Sequence, residues 1–293
     1  MKTRIVISAS RRTDIPAFYM DSFMEGIKRG YFIVKNPFTN SLHTVYAAPQ
    51  DVHTIVFWSK DFRHFLSKGY DRSLKQAGYN LFFNFTINSE SRLLEPNIPP
   101  LLQRIEQAEK LCSRFGPQTL QWRFDPVCFY REKGTIKNNL RDFEYIAESL
   151  SSLGVSRCVT SFADIYSKMK KRTAHLKDFE WIDPSMEEKI RIVKWMQQSL
   201  EKLGINLYTC CEKNLIQALG PDSKIEPNAC IPNRYLAELF GEGISFQKDT
   251  GQRRQMGCGC MVSKDIGRYS DQPCFHNCLY CYANPRTGQT TYE

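Results

Sequence analysis

Six short β-rich runs separated by helical patterns occupy residues 4–211, and this alternation constrains the fold more than any other feature. The runs are RIVISAS (4–10), TIVFWSK (54–60), NLFFNFTI (80–87), TLQWRFDPV (119–127), SRCVTSFA (156–163) and NLYTCC (206–211). Apolar residues at helical spacing mark 18–29, 101–115, 139–153 and 185–203. Leu102, Ile105, Ala108 and Leu111 repeat along one of these helices, and Phe143, Ile146 and Leu150 along another. Several helices stop at a glycine (Gly30, Gly116, Gly154, Gly204), the residue that ends a helix in the left-handed region without a Cβ clash. YFIVK (31–35) and HTVYA (43–47), flanking the turn-rich NPFTN, predict an early antiparallel excursion.

Strand, helix, strand repeated in this way predicts an α/β protein with about six parallel strands and right-handed crossovers, either a doubly wound sheet or a partial (β/α) barrel. Chemistry in such sheets gathers at the carboxyl ends of the strands. Those ends are polar here: SASRRTD (8–14), WSKD (58–61), Arg123 with Asp125, Asp164, and Cys210-Cys211-Glu212. Lys60, Arg123, Asp125 and Asp164 are therefore the expected substrate-site residues. Arg11 or Arg12 is expected to grip a carboxylate or phosphate with its guanidinium, the competing role being a salt bridge to Asp14.

After residue 212 the pattern changes. Helices are expected at 214–220 and 233–241, but residues 242–293 are rich in Gly, Cys and turn formers and have no clear period. Such a stretch needs something besides a hydrophobic core to order it, and metal ligation would do so. The expected organisation is a barrel core over 1–212 and a cysteine-rich, metal-binding region over 213–293 that caps its top rim.

No apolar run in the 293 residues approaches a membrane-spanning length, and the apolar stretch near the N-terminus is too short for a signal peptide, so a cytoplasmic protein is expected. In a reducing compartment eleven cysteines point to metal binding or catalysis rather than disulfides. The net charge of +9 fits an anionic partner and equally fits plain solubility. Neither a phosphate-binding P-loop nor a GxGxxG after the first run is present, which argues against a nucleotide hydrolase or a dinucleotide-dependent dehydrogenase.

The sharpest motif is CFHNCLYC (274–281), where Cys274, Cys278 and Cys281 have the spacing C-x3-C-x2-C. Zinc sites take four ligands, normally as two separated pairs, and His276 is the one nearby residue that would complete such a site. An iron–sulfur cube takes one thiolate per iron, so a short loop can wrap three corners and leave the fourth to a small molecule. His276 itself is expected to support the site by hydrogen bonding or packing. Cys258 and Cys260, in a CGC turn made tight by Gly257 and Gly259, join Cys230 and a cysteine at the end of the sixth run as a second set. Four thiolates suit a fully ligated second 4Fe-4S cluster, with a zinc tetrahedron as the rival. Either Cys210 or Cys211 could serve, since adjacent strand residues point to opposite faces. Cys112, Cys128 and Cys158 read as ordinary buried residues.

The C-x3-C-x2-C motif with Tyr280 before its last cysteine resembles the signature of the radical S-adenosylmethionine superfamily. The whole chain resembles an uncharacterised prokaryotic family that carries this motif near its C-terminus, with SASRRTDIPAFY (8–19), WRFDP (122–126), the CE pair (211–212) and a QR…CGC…DIGRY…CLYCYAN tail that begins at Gln252. The resemblance implies a partial or full (β/α) TIM-type barrel, usually with six strands in its core, and a 4Fe-4S cluster on Cys274, Cys278 and Cys281 whose open iron binds S-adenosylmethionine. Reduction by a flavodoxin or ferredoxin would cleave that cofactor to a 5′-deoxyadenosyl radical, which abstracts hydrogen from the substrate. It also implies Tyr280 beside the adenine, and Cys211 with Cys230, Cys258 and Cys260 at an auxiliary 4Fe-4S cluster. Glu212, which follows Cys211, is expected either to orient the cofactor's amino group or to begin the next helix. The YCYAN ending (280–284) and the positive charge favour a nucleic acid or nucleotide as substrate. The competing expectation is a non-catalytic iron–sulfur or zinc protein that senses redox state or binds nucleic acid.

Overall fold

A computed structural model describes residues 3–36, 39–269 and 271–282, so Pro37 and Phe38 of the early turn and Ala283 and Asn284 of YCYAN lie outside the described residues. The strands are β1 (Ile5–Ala9), β2 (Tyr31–Lys35), β3 (Leu42–Tyr46), β4 (Val52–Ser59), β5 (Asn80–Thr86), β6 (Leu120–Val127) and β7 (Phe129–Glu132). They continue with β8 (Thr135–Asn138), β9 (Arg157–Phe162), β10 (Phe179–Ile182), β11 (Asn206–Thr209), β12 (Glu226–Pro227) and β13 (Lys264–Asp265). The helices are α1 (Ile15–Phe18), α2 (Met20–Arg29), α3 (Arg63–Ser67), α4 (Tyr70–Gln76) and α5 (Leu101–Phe115). After them come α6 (Phe143–Ser152), α7 (Ser167–Thr173), α8 (Met186–Glu201), α9 (Lys213–Leu219) and α10 (Asn233–Phe240).

The main sheet has eight strands in the order β12-β11-β9-β6-β5-β4-β1-β13, and every pairing in it is parallel. The six predicted runs are β1, β4, β5, β6, β9 and β11, side by side in sequence order. The two extra strands come from the cysteine-rich region and lie at opposite edges. No pairing joins β12 to β13 among the described residues, so the hydrogen-bonded sheet is open there. The predicted hairpin forms as β2–β3. A second antiparallel sheet, β10-β7-β8, was not expected.

Strand alternation divides the buried residues by face. Ile7, Ile55, Phe57, Leu81, Phe83, Trp122, Phe124, Cys158 and Leu207 form one core with helical residues such as Phe23, Phe65, Leu111, Phe143 and Met196. Val6, Val56 and Phe82 point the other way and pack on Cys230, Ile231, Leu236, Ile244 and Cys260. Helices that precede β12 thus cover one face, and residues following β12, helix α10 among them, cover part of the other, so the cysteine-rich region reaches well beyond the rim. The capping glycine expected after α2 is confirmed, with Gly30 at φ 79° accepting no side-chain clash.

Candidate metal and substrate site

Both cysteine groups lie against the same parallel sheet. The segment 272–282 runs across the C-terminal ends of β1, β4 and β5 and is tied down at many points. Tyr19 donates to the Pro273 carbonyl (2.6 Å), Asn97 to the Phe275 carbonyl (2.7 Å), and the Leu279 N–H to the Leu94 carbonyl (2.9 Å). Arg172 of α7 donates from one nitrogen to the carbonyls of Cys278 (2.8 Å) and Leu279 (2.9 Å). Within the loop the Cys281 N–H bonds the Cys278 carbonyl, and the His276 N–H donates to the Cys274 sulfur. The three thiols feel one another's charge, and burial raises the Cys274 and Cys278 thiols above the ordinary cysteine range.

Lys60, at the end of β4, ion-pairs with Glu95 at 2.8 Å, and its ammonium lies 5.4 Å from the Tyr280 ring centre. Burial is the largest single influence and opposes the charge on both partners, but the partner's field, the hydrogen bonds and neighbouring charges together outweigh it: Lys60 is raised and Glu95 lowered. The Tyr280 hydroxyl donates to Glu95 and is contacted by the Asn88 amide at 3.1 Å. Lys60 was expected to face substrate, and here it is engaged in a buried ion pair beside the motif. Tyr280 is itself buried, 8% exposed, with its hydroxyl turned toward the sheet.

The second group contains five thiols. Cys210 Sγ lies 3.8 Å from Cys211 Sγ and 3.5 Å from Cys230 Sγ. Cys211 with Cys258, Cys258 with Cys260 and Cys260 with Cys230 influence one another's ionisation in turn, so the five thiols form a ring of interacting neighbours. Cys210 and Cys211 were expected to point to opposite faces. Instead Cys211 adopts φ 61°, outside the extended region, which cancels the alternation and puts both sulfurs at one site. Close packing explains the CGC turn: Gly257 has φ 84°, and a Cβ on Gly259 would sit 2.7 Å from the Asn228 carbonyl oxygen.

Three arginines surround this ring. Arg123 Nη1 donates to Cys230 Sγ at 2.7 Å, while its other terminal nitrogen pairs with Asp125. Arg11 Nη1 donates to Ser263 Oγ (3.3 Å), its guanidinium is held charged by Cys260 and lies 5.4 Å from the Trp58 ring centre, and its Nη2 is buried without a hydrogen-bond partner among the described residues. Arg253 is held charged against burial, first by Cys211. Cys260 accepts from Cys230 and Cys258, which brings its thiol well below the usual range despite burial. These cations suit a thiolate-rich, negatively charged centre.

Asp125 also accepts from Ser161, and the Arg123 guanidinium keeps its carboxyl below the ordinary range against burial. Asp164 is half-exposed and bonded to Tyr166 and Arg253, both at 2.8 Å. Arg12 reaches the Gly267 carbonyl at 3.0 Å, and its Nε lies 3.9 Å from Asp265. The expected salt bridge from Arg11 or Arg12 to Asp14 is replaced by contacts to Asp265, which also accepts from Ser8, Ser10 and the Arg11 N–H. Glu212 occupies the N-cap position of α9 but turns its carboxylate to the Phe162 N–H (2.8 Å). Burial raises it to about 7.

Sequence reading did not single out Glu95, Arg172, Arg253 or Asp265. Asp265 lay within the DIGRY segment and Arg253 within the QR pair of the same tail; Glu95 and Arg172 carry no local signal. Cys128 is buried in the same apolar cluster as Cys278, Tyr280 and Cys281. Among the described residues no three or more His, Cys, Asp or Glu side chains converge as ligands of a single metal ion. Nor is any helix among them long and apolar enough to cross a membrane.

Fold and site together define an α/β protein whose large parallel sheet carries two cysteine groups, one at its strand ends and one on its inner face. The chain belongs to the family described as a domain of unknown function (DUF1848), whose model matches residues 6–283. No curated protein matches it in sequence. Among solved structures it is similar to a xylose isomerase domain protein from Planctomyces limnophilus, at 11% identity and TM-score 0.23 over 68% of this chain and 64% of that one. It is also similar to a triazine hydrolase from Arthobacter aurescens, at 10% identity and TM-score 0.29 over 81% of this chain and 57% of that one. The chain thus spans less than two thirds of either structure it resembles.

Proposed function

We propose that the protein is a radical S-adenosylmethionine enzyme with a 4Fe-4S cluster on Cys274, Cys278 and Cys281 and a second, auxiliary 4Fe-4S centre on the thiols that include Cys211, Cys230, Cys258 and Cys260. The observation that carries this reading is the placement of the three-cysteine loop on the carboxyl ends of β1, β4 and β5, where an α/β sheet does its chemistry. The residues fit the groups. Two buried polar atoms beside the cysteines, Arg11 Nη2 and His276 Nδ1, lack partners among the described residues, and arginines offset the charge of the second set.

When bound, a reduced cluster with adenosylmethionine supplies hydrogen-atom abstraction. The chain's own residues bind, orient and exclude water. Arg172 and Asn97 fix the loop through its carbonyls, and Lys60, Glu95 and Tyr280 lock it to the sheet. Arg123 and Asp125 stand between that loop and the thiol ring, in reach of a substrate laid on the sheet's inner face. The unreversed strand order, with most of the helices on one face, supports reading the sheet as a partial (β/α) barrel. An electron donor of the flavodoxin or ferredoxin class and a nucleic acid or nucleotide substrate, in the cytoplasm, complete the proposal.

Protein purified without oxygen should hold about eight irons and matching sulfide, and should release 5′-deoxyadenosine when adenosylmethionine and dithionite are added. About four irons with product would keep the enzyme and remove the auxiliary cluster. Zinc in place of iron, and no product after reconstitution, would reject the reading in favour of a structural metal protein.

A further inference from the structure

His276 sits between two motif cysteines, in the order Cys274-x-His276-x-Cys278, and is only 2% exposed. Its Nε2 lies 2.8 Å from Asp14 Oδ2. Its ring rests on Phe18, with centroids 4.7 Å apart. Its Nδ1 is buried and has no hydrogen-bond partner among the described residues.

The tautomer follows from the partners of Asp14. That carboxylate accepts from the Ser59 hydroxyl (2.7 Å), the Lys60 N–H (2.9 Å) and the Ala17 N–H (3.0 Å). The two N–H groups can only donate and the hydroxyl donates to it as well, so Asp14 is an acceptor on every side and the hydrogen shared with His276 belongs to Nε2. In the neutral ring the lone pair is then on Nδ1. An imidazole that donates one N–H to a carboxylate and keeps the other nitrogen buried and bare has the arrangement that metal-ligating histidines adopt. The backbone N–H of the same residue already bonds the Cys274 sulfur, and the Asp14 charge acts on that thiol.

We propose that His276 Nδ1 is the fourth protein ligand of the centre held by Cys274, Cys278 and Cys281. The ligand set at rest is three sulfurs and one nitrogen, and adenosylmethionine reaches the metal by displacing the imidazole. This is a ligand exchange with no change of oxidation state. It rests on the reading of these cysteines as a metal centre and goes beyond it, because that reading leaves the corner open.

The test uses the full chain, loaded anaerobically and labelled with 15N-histidine. In the dithionite-reduced protein, pulsed electron paramagnetic resonance should show one strongly coupled nitrogen that changes from a 14N to a 15N pattern on labelling. That coupling should disappear when adenosylmethionine is added. The His276→Gln variant should lose the coupling, and labelling of the unmodified protein keeps the result independent of whether that variant folds. An assembled cluster with no strongly coupled histidine nitrogen overturns the proposal and leaves the enzyme reading standing. If the site takes zinc, X-ray absorption showing three sulfurs and one nitrogen supports the ligand assignment while the enzyme reading fails; sulfur alone rejects both.

Discussion

Arg123 Nη1 lies 2.7 Å from Cys230 Sγ, joining a residue of β6 to one in the loop between β12 and α10. The same guanidinium pairs with Asp125 and stacks 5.4 Å from the Trp58 ring centre. A guanidinium against sulfur favours the thiolate, so the residue expected at a substrate site also conditions the second cysteine group. Removing it leaves Asp125 buried and unpaired, which costs about 3–5 kcal/mol. Arg123→Met should therefore lower the unfolding free energy from urea titration by that amount and reduce metal content, whereas Arg123→Lys should retain part of both. Equal metal content in wild type and Arg123→Met would contradict this role.

The two cysteine groups should be separable. Replacing Cys258 and Cys260 together by serine should remove about half of the iron while adenosylmethionine cleavage persists. Replacing Cys278 should abolish cleavage. Loss of cleavage in both variants to the same degree, with the fold intact by circular dichroism, would mean that the groups act as one.

Tyr280 is held by its hydroxyl as well as its ring. Tyr280→Phe removes a hydrogen bond to the ionised Glu95 and should cost about 1.5–3 kcal/mol. Glu95→Gln should cost more, because it strands the buried Lys60 ammonium. Thermal or urea unfolding of the metal-free variants measures both, and the reverse order would refute the assignment.

His53 makes stability depend on pH. It is buried on β4, with Nδ1 2.7 Å from Thr54 Oγ1 and Nε2 2.7 Å from the Gly241 carbonyl. The carbonyl only accepts, so Nε2 carries hydrogen and Nδ1 accepts from the hydroxyl. Burial lowers the pKa of His53, opposed by that carbonyl, so the fold favours the neutral ring. Its contribution is full above the unfolded value of about 6.5 and is lost as pH falls through the depressed folded value. Urea midpoints of wild type should drop more steeply below about pH 6.5 than those of His53→Gln. Parallel curves would assign the acid sensitivity elsewhere.

Gly259 is fixed by close approach rather than by dihedral angle. A Cβ there meets the Asn228 carbonyl at 2.7 Å, a backbone atom with no side-chain freedom to give way. Gly259→Ala should shift the turn and cost about 1–3 kcal/mol. It should also weaken metal retention in a chelator competition, and unchanged retention would count against a ligand role for its neighbours.

The parts that were legible in the sequence are those whose signal is local. Each of the six β-rich runs is a strand of the main sheet, and the 101–115 periodicity is helix α5 with the same bounds. β12 and β13 have two residues each and exist only through partners distant in sequence, so no period announces them. The pairing of Asp14 with His276, across 262 positions, is invisible for the same reason. Cys211 shows the limit of alternation as a guide: a strand rule placed its sulfur opposite Cys210, and one left-handed residue at the strand's end brought the two together.

The edge of the sheet at β1 is completed by β13, where Ser8, Ser10 and the Arg11 N–H all bind Asp265 more than 250 positions later. A ribosome delivers the second of these strands more than 250 residues after the first. Throughout elongation the first strand waits with one side unpaired, beside hydroxyls and a guanidinium whose anionic partner does not yet exist. Such an edge is a template for pairing with other chains, and contacts this distant in sequence form slowly. The nascent protein is therefore most in need of chaperone protection until the segment that carries Asp265 has emerged.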